Sequence, residues 1–125
     1  MPLAGGPFLL PFFQSRFSLQ RHGDEMQIRT HVYNLPLKHA FTISRETTTV
    51  QPTLIVELSD GAHSGYGEAT TNSYYGMTID SMREALGRVT PLVESLDQFQ
   101  PDSLWQQIAG HLEDCPFALC ALDQA

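Results

Sequence analysis

Basic residues are scarce in this sequence of 125 residues. It holds seven Lys and Arg against 14 Asp and Glu, and its formal net charge is −7. A protein that binds the phosphate backbone of a nucleic acid needs clustered positive charge, and the basic residues of this sequence are scattered. The composition therefore argues against nucleic acid as a partner.

Long apolar runs are absent, and cysteines are few. No stretch approaches the roughly 20 apolar residues that cross a membrane as a helix, so we expect a soluble protein without a membrane partner. The two cysteines are Cys115 and Cys120. On a helix this spacing directs them to different faces, which favours neither a disulfide nor a metal pair. Free thiols suit a reducing cytoplasm.

The segment 1–25 differs in kind from the rest. Its apolar run contains Pro7 and Pro11, and the first positive charge, Arg16, follows that run. A secretory signal carries its positive charge before the apolar run. We interpret residues 1–25 as a disordered extension or as the result of an upstream start codon, with the folded protein beginning near Met26. A targeting segment is the alternative.

Residues 26–70 have the pattern of a small antiparallel sheet. Alternation of apolar and polar residues predicts a first strand over 26–35, which Pro36 interrupts. Residues 42–49 are small and polar, and we interpret the middle of this segment as a loop. A second strand over 50–59, a tight turn at Asp60-Gly61 and a return strand over 63–70 complete a three-stranded meander.

After Thr70 the apolar residues recur every three or four positions, which predicts helices. Thr78 is placed to cap the first helix, and Pro91 should kink or break it, leaving a shorter piece to about residue 96. Pro101 opens a second helix. Its apolar stripe consists of Leu104, Trp105, Ile108 and Leu112. Residues 117–125 are apolar almost all round, as in a helix buried on several sides. The fold class is therefore α+β, a three-stranded antiparallel meander followed by a helical bundle.

Two short motifs resemble known sites but have the wrong spacing. Residues 65–68 (GYGE) lack the third glycine and the following helix of a dinucleotide-binding fingerprint. We interpret these glycines as permitting a bulge or a close backbone approach, with Glu68 anchoring a neighbouring loop. His111 and Glu113, followed by Cys115 and Cys120, have the wrong order and spacing for a zinc deaminase. Neither motif predicts a cofactor.

Two polar segments remain as candidates for a binding site, residues 41–49 and 70–78. Arg45 can grip a carboxylate through two hydrogen bonds, although Glu46 beside it could neutralise its charge. Tyr74 and Tyr75 can wall a pocket and offer hydroxyl groups. An ordinary solvated loop is the alternative interpretation of each segment.

Three segments, taken in order, resemble the start of a known group of proteins. They are PLKHAFTISRETTTVQPTLIVELSDG, GYGEATTNSYYGMTIDSM and FALCALDQA. They are similar to the amino-terminal capping domain of the enolase superfamily, of the mandelate racemase/muconate lactonizing type. Within it they most resemble the dipeptide (L-Ala-D/L-Glu) epimerases. The resemblance implies a capping domain over residues 26–115 and the lead-in helix of a truncated barrel over 116–125.

This resemblance implies a part of an isomerase that is inactive by itself. In the family, the catalytic lysines and the carboxylates that hold Mg²⁺ lie in a (β/α) barrel, so we expect neither in this chain. The longer parent would invert an α-carbon of a dipeptide or small carboxylate substrate and would form homo-oligomers. The expected substrate-binding residues are Phe41, Ser44, Arg45, Tyr74 and Tyr75.

Two other functions fit the same residues. A free-standing, non-catalytic binding module would keep both polar segments, and half of a split enzyme would pair with a separately encoded barrel. A small independent enzyme would need a clustered acid–base set or metal site, and the sequence shows neither. The substrate stays open, including o-succinylbenzoate or muconate chemistry.

Overall fold

The computed structural model describes residues 25–125, and the interpretation of residues 1–24 lies outside them. Within this range a three-stranded antiparallel sheet comes first and helices follow, so the predicted α+β class is confirmed. The strands, in their order across the sheet, are β1 (Gln27–Ile43), β2 (Glu46–Ser59) and β3 (Ser64–Thr70). The helices are α1 (Ile79–Glu94), α2 (Pro101–Ile108) and α3 (Pro116–Gln124), with a 3-10 turn at Ala109–His111. None of these helices is long and apolar enough to span a bilayer.

Strand β1 continues past the point at which the sequence predicts its end. Pro36 pairs with Val50 of β2, and the register shifts between Pro36 and Phe41. A proline is tolerated here because β1 lies at the edge of the sheet, where backbone N–H groups on the outer side have no strand to bond. The predicted interruption is therefore a shift in register and not the end of the strand.

The loop predicted in the middle of residues 42–49 is reduced to a two-residue turn at Ser44 and Arg45. Strand β1 extends to Ile43 and β2 begins at Glu46, which leaves only a short turn between them. Threonines are β-branched and favour extended backbone, and the hydroxyl oxygens of Thr42 and Thr47 lie 3.1 Å apart across the strand pair. Strand β3 pairs only with residues 53–59 of β2. Residues 34–52 therefore extend beyond it as a two-stranded ribbon, which we call the distal hairpin.

Helix α1 is capped as predicted but is not broken. The Thr78 hydroxyl accepts a hydrogen bond from the Ser81 backbone N–H, and the Ser81 hydroxyl accepts one from the Thr78 N–H. The predicted break at Pro91 is wrong, since α1 is continuous through that position, while the alternative of a kink there stays a prediction. Val89 and Val93 are fully buried on either side of this exposed proline. Core packing thus outweighs the backbone hydrogen bond that the proline removes.

One apolar core joins the helices to one face of the sheet. Leu54 and Val56 of β2 lie at its centre and are fully buried. The helices contribute the buried side chains of Met82, Ala85, Leu86, Leu104, Ile108, Ala118, Ala121 and Leu122, and Leu112 adds another from the segment before α3. Of the stripe predicted for α2, Leu104 and Ile108 are buried as expected, Leu112 is buried but lies beyond the end of the helix, and Trp105 is 41% exposed. The core thus holds the sheet rigidly up to the base of the distal hairpin.

Helix α3 packs against β3 at a distance that only glycine permits. A Cβ atom on Gly67 would overlap the carbonyl oxygen of Ala121, and one on Gly65 would overlap that of Ala125. The predicted close backbone approach is therefore confirmed. The role predicted for Glu68 is wrong, because its carboxylate accepts a 2.7 Å hydrogen bond from the Thr53 hydroxyl and so joins two strands.

The two cysteines face different surroundings, as their spacing predicts. Cys115 precedes α3 and is buried, whereas Cys120 lies on α3 and is exposed. The Cys115 thiol lies 3.7 Å from the Met77 sulfur, so it packs as part of the core.

Candidate functional site

A cleft of about 440 Å³ opens between the distal hairpin and residues 71–78, which we call the tyrosine loop. The hairpin wall consists of Phe41, Ile43, Glu46, Thr48, Val50, Gln51 and Pro52. The loop wall consists of Thr71, Asn72, Ser73, Tyr74, Met77 and Thr78. The cleft therefore lies where the two polar segments singled out in the sequence meet.

The tyrosine loop is shaped by its own residues. Asn72 and Met77 exchange two backbone hydrogen bonds of 2.9 Å, which close the loop at its base. The Asn72 side-chain oxygen accepts a hydrogen bond from the Tyr75 N–H at 3.2 Å. Gly76 has a φ of 66°, a left-handed conformation that glycine adopts at low cost. This arrangement presents the Tyr74 side chain to solvent, 77% exposed.

Hydrogen bonds at two places connect the tyrosine loop to the distal hairpin. The Ser73 hydroxyl donates to the Glu46 carboxylate at 2.8 Å, close to the hairpin turn. Nearer the base of the hairpin, the Gln51 side-chain amide donates to the backbone carbonyl of Thr71 at 3.2 Å. The two walls of the cleft are therefore held at two separate points along the hairpin.

The structure brings two of the five predicted site residues together in the cleft. Phe41 and Tyr74 lie on opposite walls. Ser44 and Arg45 form the turn at the tip of the hairpin, outside the lining. Tyr75 also lies outside it, with its ring centroid 5.0 Å from that of Tyr74 and 6.0 Å from an aromatic ring of α3. The Tyr75 ring thus lies between Tyr74 and α3 and not on the cleft wall.

Glu46 is the lining residue whose position sequence reasoning missed. Its carboxylate bonds Ser73, and the three ion pairs found within residues 25–125 do not include Arg45. Alternation along the strands could have located it, since a two-residue turn places every second residue of both strands on one face. That face carries Phe41, Ile43, Glu46, Thr48 and Val50. The signal was lost because these residues were interpreted as a loop.

A second polar cluster lies on the face of the sheet away from the core. The Nε2 atom of His31 lies 2.8 Å from one Glu57 carboxylate oxygen, and the Ser64 hydroxyl donates to the other at 3.0 Å. These hydrogen bonds stabilise the ionised carboxylate and hold the pKa of Glu57 below its usual value. The cluster links all three strands and is separate from the cleft.

The described residues do not fit a magnesium ion. Magnesium takes oxygen ligands, chiefly carboxylates, in an octahedral arrangement. No three His, Cys, Asp or Glu side chains come together as a metal site in residues 25–125. Glu46 is a single carboxylate on the cleft wall, bonded to a serine. No step of a reaction is therefore assigned to a metal in this chain.

Comparison with known proteins supports a single group of relatives. No family model matches the chain. It is 46% identical over 100 residues to an L-Ala-D/L-amino acid epimerase from Flavobacterium johnsoniae, a match that covers 80% of this chain and 30% of that protein. The chain thus spans about a third of the length of the curated relatives it matches.

Solved structures show the same fold. A mandelate racemase/muconate lactonizing protein from Herpetosiphon aurantiacus aligns with a TM-score of 0.69 and 22% identity over 80% of this chain and 29% of its own. A dipeptide epimerase from Methylococcus capsulatus, complexed with Mg and the dipeptide L-Arg-D-Lys, aligns with a TM-score of 0.61 and 24% identity over 80% of this chain and 28% of its own.

The described residues have the fold of the enolase-superfamily amino-terminal capping domain of the mandelate racemase/muconate lactonizing type. In sequence they are similar, more particularly, to the amino-terminal part of L-Ala-D/L-amino acid and L-Ala-D/L-Glu epimerases. The resemblance stated from the sequence is thereby confirmed.

Proposed function

We propose that this chain is the substrate-capping, specificity-determining part of a dipeptide epimerase, which inverts an α-carbon by metal-assisted proton abstraction in its longer form. The cleft between the distal hairpin and the tyrosine loop carries this proposal. Its walls are two segments that project from a rigid core, and their aromatic side chains are available to a ligand. The similarity to epimerases supplies the class of reaction.

The cleft residues bind and enclose the substrate in this proposal, and they do not react with it. Phe41 and Tyr74 are 62% and 77% exposed, so they offer apolar surface that a bound dipeptide would cover. Closure over the substrate excludes water and holds its side chain against the cleft wall. Ser44 and Arg45 at the hairpin tip, with Tyr75 between Tyr74 and α3, complete the proposed binding set.

The groups that perform the reaction belong to the longer enzyme in this proposal. Glu46 is the one carboxylate on the cleft wall in the described part of the chain, and an acid–base pair needs two groups. We assign magnesium binding and proton abstraction to a barrel outside the described residues. We also propose a cytoplasmic homo-oligomer, with the capping domain over residues 26–115 and the barrel lead-in helix over 116–125.

A chimera tests the proposal. Residues 26–125 replace the matching segment of the Flavobacterium johnsoniae epimerase, and exchange of the substrate α-proton for deuterium is followed by NMR in D₂O with L-Ala dipeptides. We expect exchange by the chimera and none by the present chain alone. The natural epimerase and a version without the segment are the controls.

Two results would contradict the proposal. A chimera that folds, as judged by circular dichroism, yet exchanges no dipeptide would show that this domain cannot complete an epimerase site. Tight dipeptide binding by the present chain alone, measured by calorimetry, would favour a free-standing binding module instead.

A further inference from the structure

We propose that the cleft selects a dipeptide with a cationic side chain, lysine or arginine, over one with an acidic side chain. This inference rests on the proposed function, because it concerns the choice of substrate at the same cleft. The observations behind it are the charge of the cleft wall, the aromatic rings that flank that charge, and the position of Arg45.

The cleft wall carries negative charge and no positive charge within the described part of the chain. Glu46 is the one Asp, Glu, Lys, Arg or His among the described lining residues. Its carboxylate is held on the wall by the 2.8 Å hydrogen bond from the Ser73 hydroxyl. A carboxylate accepts several hydrogen bonds, so this contact leaves it able to bind an ammonium or guanidinium group as well.

Aromatic and apolar side chains flank the carboxylate. Phe41 and Tyr74 project from opposite walls, and the faces of aromatic rings attract cations. Ile43, Val50 and Met77 supply apolar surface along the same walls. A lysine or arginine side chain matches both features, because its methylene stem packs on apolar surface while its charged head reaches a polar partner.

Arg45 does not reverse this preference. It lies in the hairpin turn and is not part of the cleft lining, so in the proposed binding set it meets the substrate at the hairpin tip and is not placed to neutralise an acidic side chain bound beside Glu46. Such a side chain would face the Glu46 carboxylate, and like charges brought together oppose binding. The net charge of −7 over the whole chain also attracts cationic ligands more than anionic ones.

The test measures kcat/KM of the chimera for L-Ala-L-Lys and for L-Ala-L-Glu by deuterium exchange. We expect the lysine dipeptide to be preferred, and the ratio to fall at high salt because screening weakens the attraction. The substitution Glu46→Gln keeps an acceptor for the Ser73 hydroxyl but removes the charge. It should lower the lysine-to-glutamate ratio by about fivefold, the effect expected for a partly exposed ion pair.

Ser73→Ala is the matched control, because it removes the hydrogen bond and keeps the charge. It should change the ratio less than Glu46→Gln does. A preference for the glutamate dipeptide, or a ratio that Glu46→Gln leaves unchanged, would overturn the inference while leaving the proposed function intact. An equal change after Ser73→Ala would assign the effect to positioning and would also overturn it. If the chimera exchanges no dipeptide at all, that result would contradict both the proposed function and this inference.

Discussion

At the scale of single residues, Gly67 is where a side chain is least tolerated. A Cβ atom there would overlap the backbone carbonyl of Ala121, so Gly67→Ala requires α3 to move away from β3. We expect a loss of about 1–3 kcal/mol in the free energy of unfolding, measured with urea. Gly87→Ala is the control, since Gly87 lies in α1 with open space around it and should gain about 0.5–1 kcal/mol. Equal stability of the two variants would contradict the contact.

The carboxylate of Glu57 should make stability depend on acid pH. Hydrogen bonds from His31 and Ser64 hold its folded-state pKa below the usual value of 4.5, so the folded state favours the ionised form. That contribution is present above about pH 4.5 and is lost as the pH falls through the folded pKa. The stability advantage of the natural protein over Glu57→Gln should therefore be larger at pH 5 than at pH 3.

Urea unfolding at both pH values measures this difference. Glu84→Gln, a change on the exposed surface of α1, controls for the loss of one negative charge. An advantage over Glu57→Gln that stays the same at pH 5 and pH 3 would show that the hydrogen bonds to Glu57 do not stabilise its ionised form.

At the scale of secondary-structure elements, α1 depends on its first turn. The Thr78 hydroxyl satisfies the Ser81 backbone N–H, one of the groups that a helix start leaves without a partner. Thr78→Ala should cost about 1 kcal/mol of unfolding free energy, and Thr78→Ser, which keeps the hydroxyl, should cost little. Thermal unfolding followed by circular dichroism measures both. Equal losses in the two variants would mean that the hydroxyl does not cap the helix.

At the scale of the whole molecule, packing is uneven along the sheet. Residues 53–59 of β2 lie between two strands and on the core, whereas the distal hairpin is two-stranded and exposes large apolar side chains. These include Leu35, Phe41, Ile43 and Val50. Amide protons that bond within the distal hairpin should therefore exchange with solvent at least about tenfold faster than those of residues 54–58, because local opening there disrupts less packing. Equal protection by NMR would contradict this.

Much of the architecture follows from local signals in the sequence. Asp60-Gly61 marks a turn in which the Asp60 carboxylate accepts hydrogen bonds from the next backbone N–H groups and Gly61 adopts a φ of 88°. Thr78 and Pro101 mark helix starts in the same way. These signals act over a few residues, so the order of strands and helices can be predicted without any knowledge of the core.

The candidate site could be predicted only in part. Tyr74 can be predicted because tyrosines in a polar segment are able to line a binding pocket, whereas Phe41 enters only through the resemblance to the epimerases. Glu46 was missed because its place on the cleft wall depends on where the hairpin turns, which is a property of strand pairing. The contact that holds it joins residues 27 positions apart in the chain, and no local pattern predicts such a partner.

The sequence by itself determined the α+β order of elements, the caps, the turn at Asp60 and the resemblance to an epimerase capping domain. Only the tertiary structure decided that α1 continues through Pro91 and that the backbone of α3 packs directly against Gly67. It also decided that Glu46 lies in the cleft while Arg45 lies outside it. The physical reason is the separation along the chain of the residues that interact. Turns and caps depend on hydrogen bonds between neighbouring residues. Packing and strand register depend on contacts between distant parts of the chain, and these contacts can outweigh local preferences.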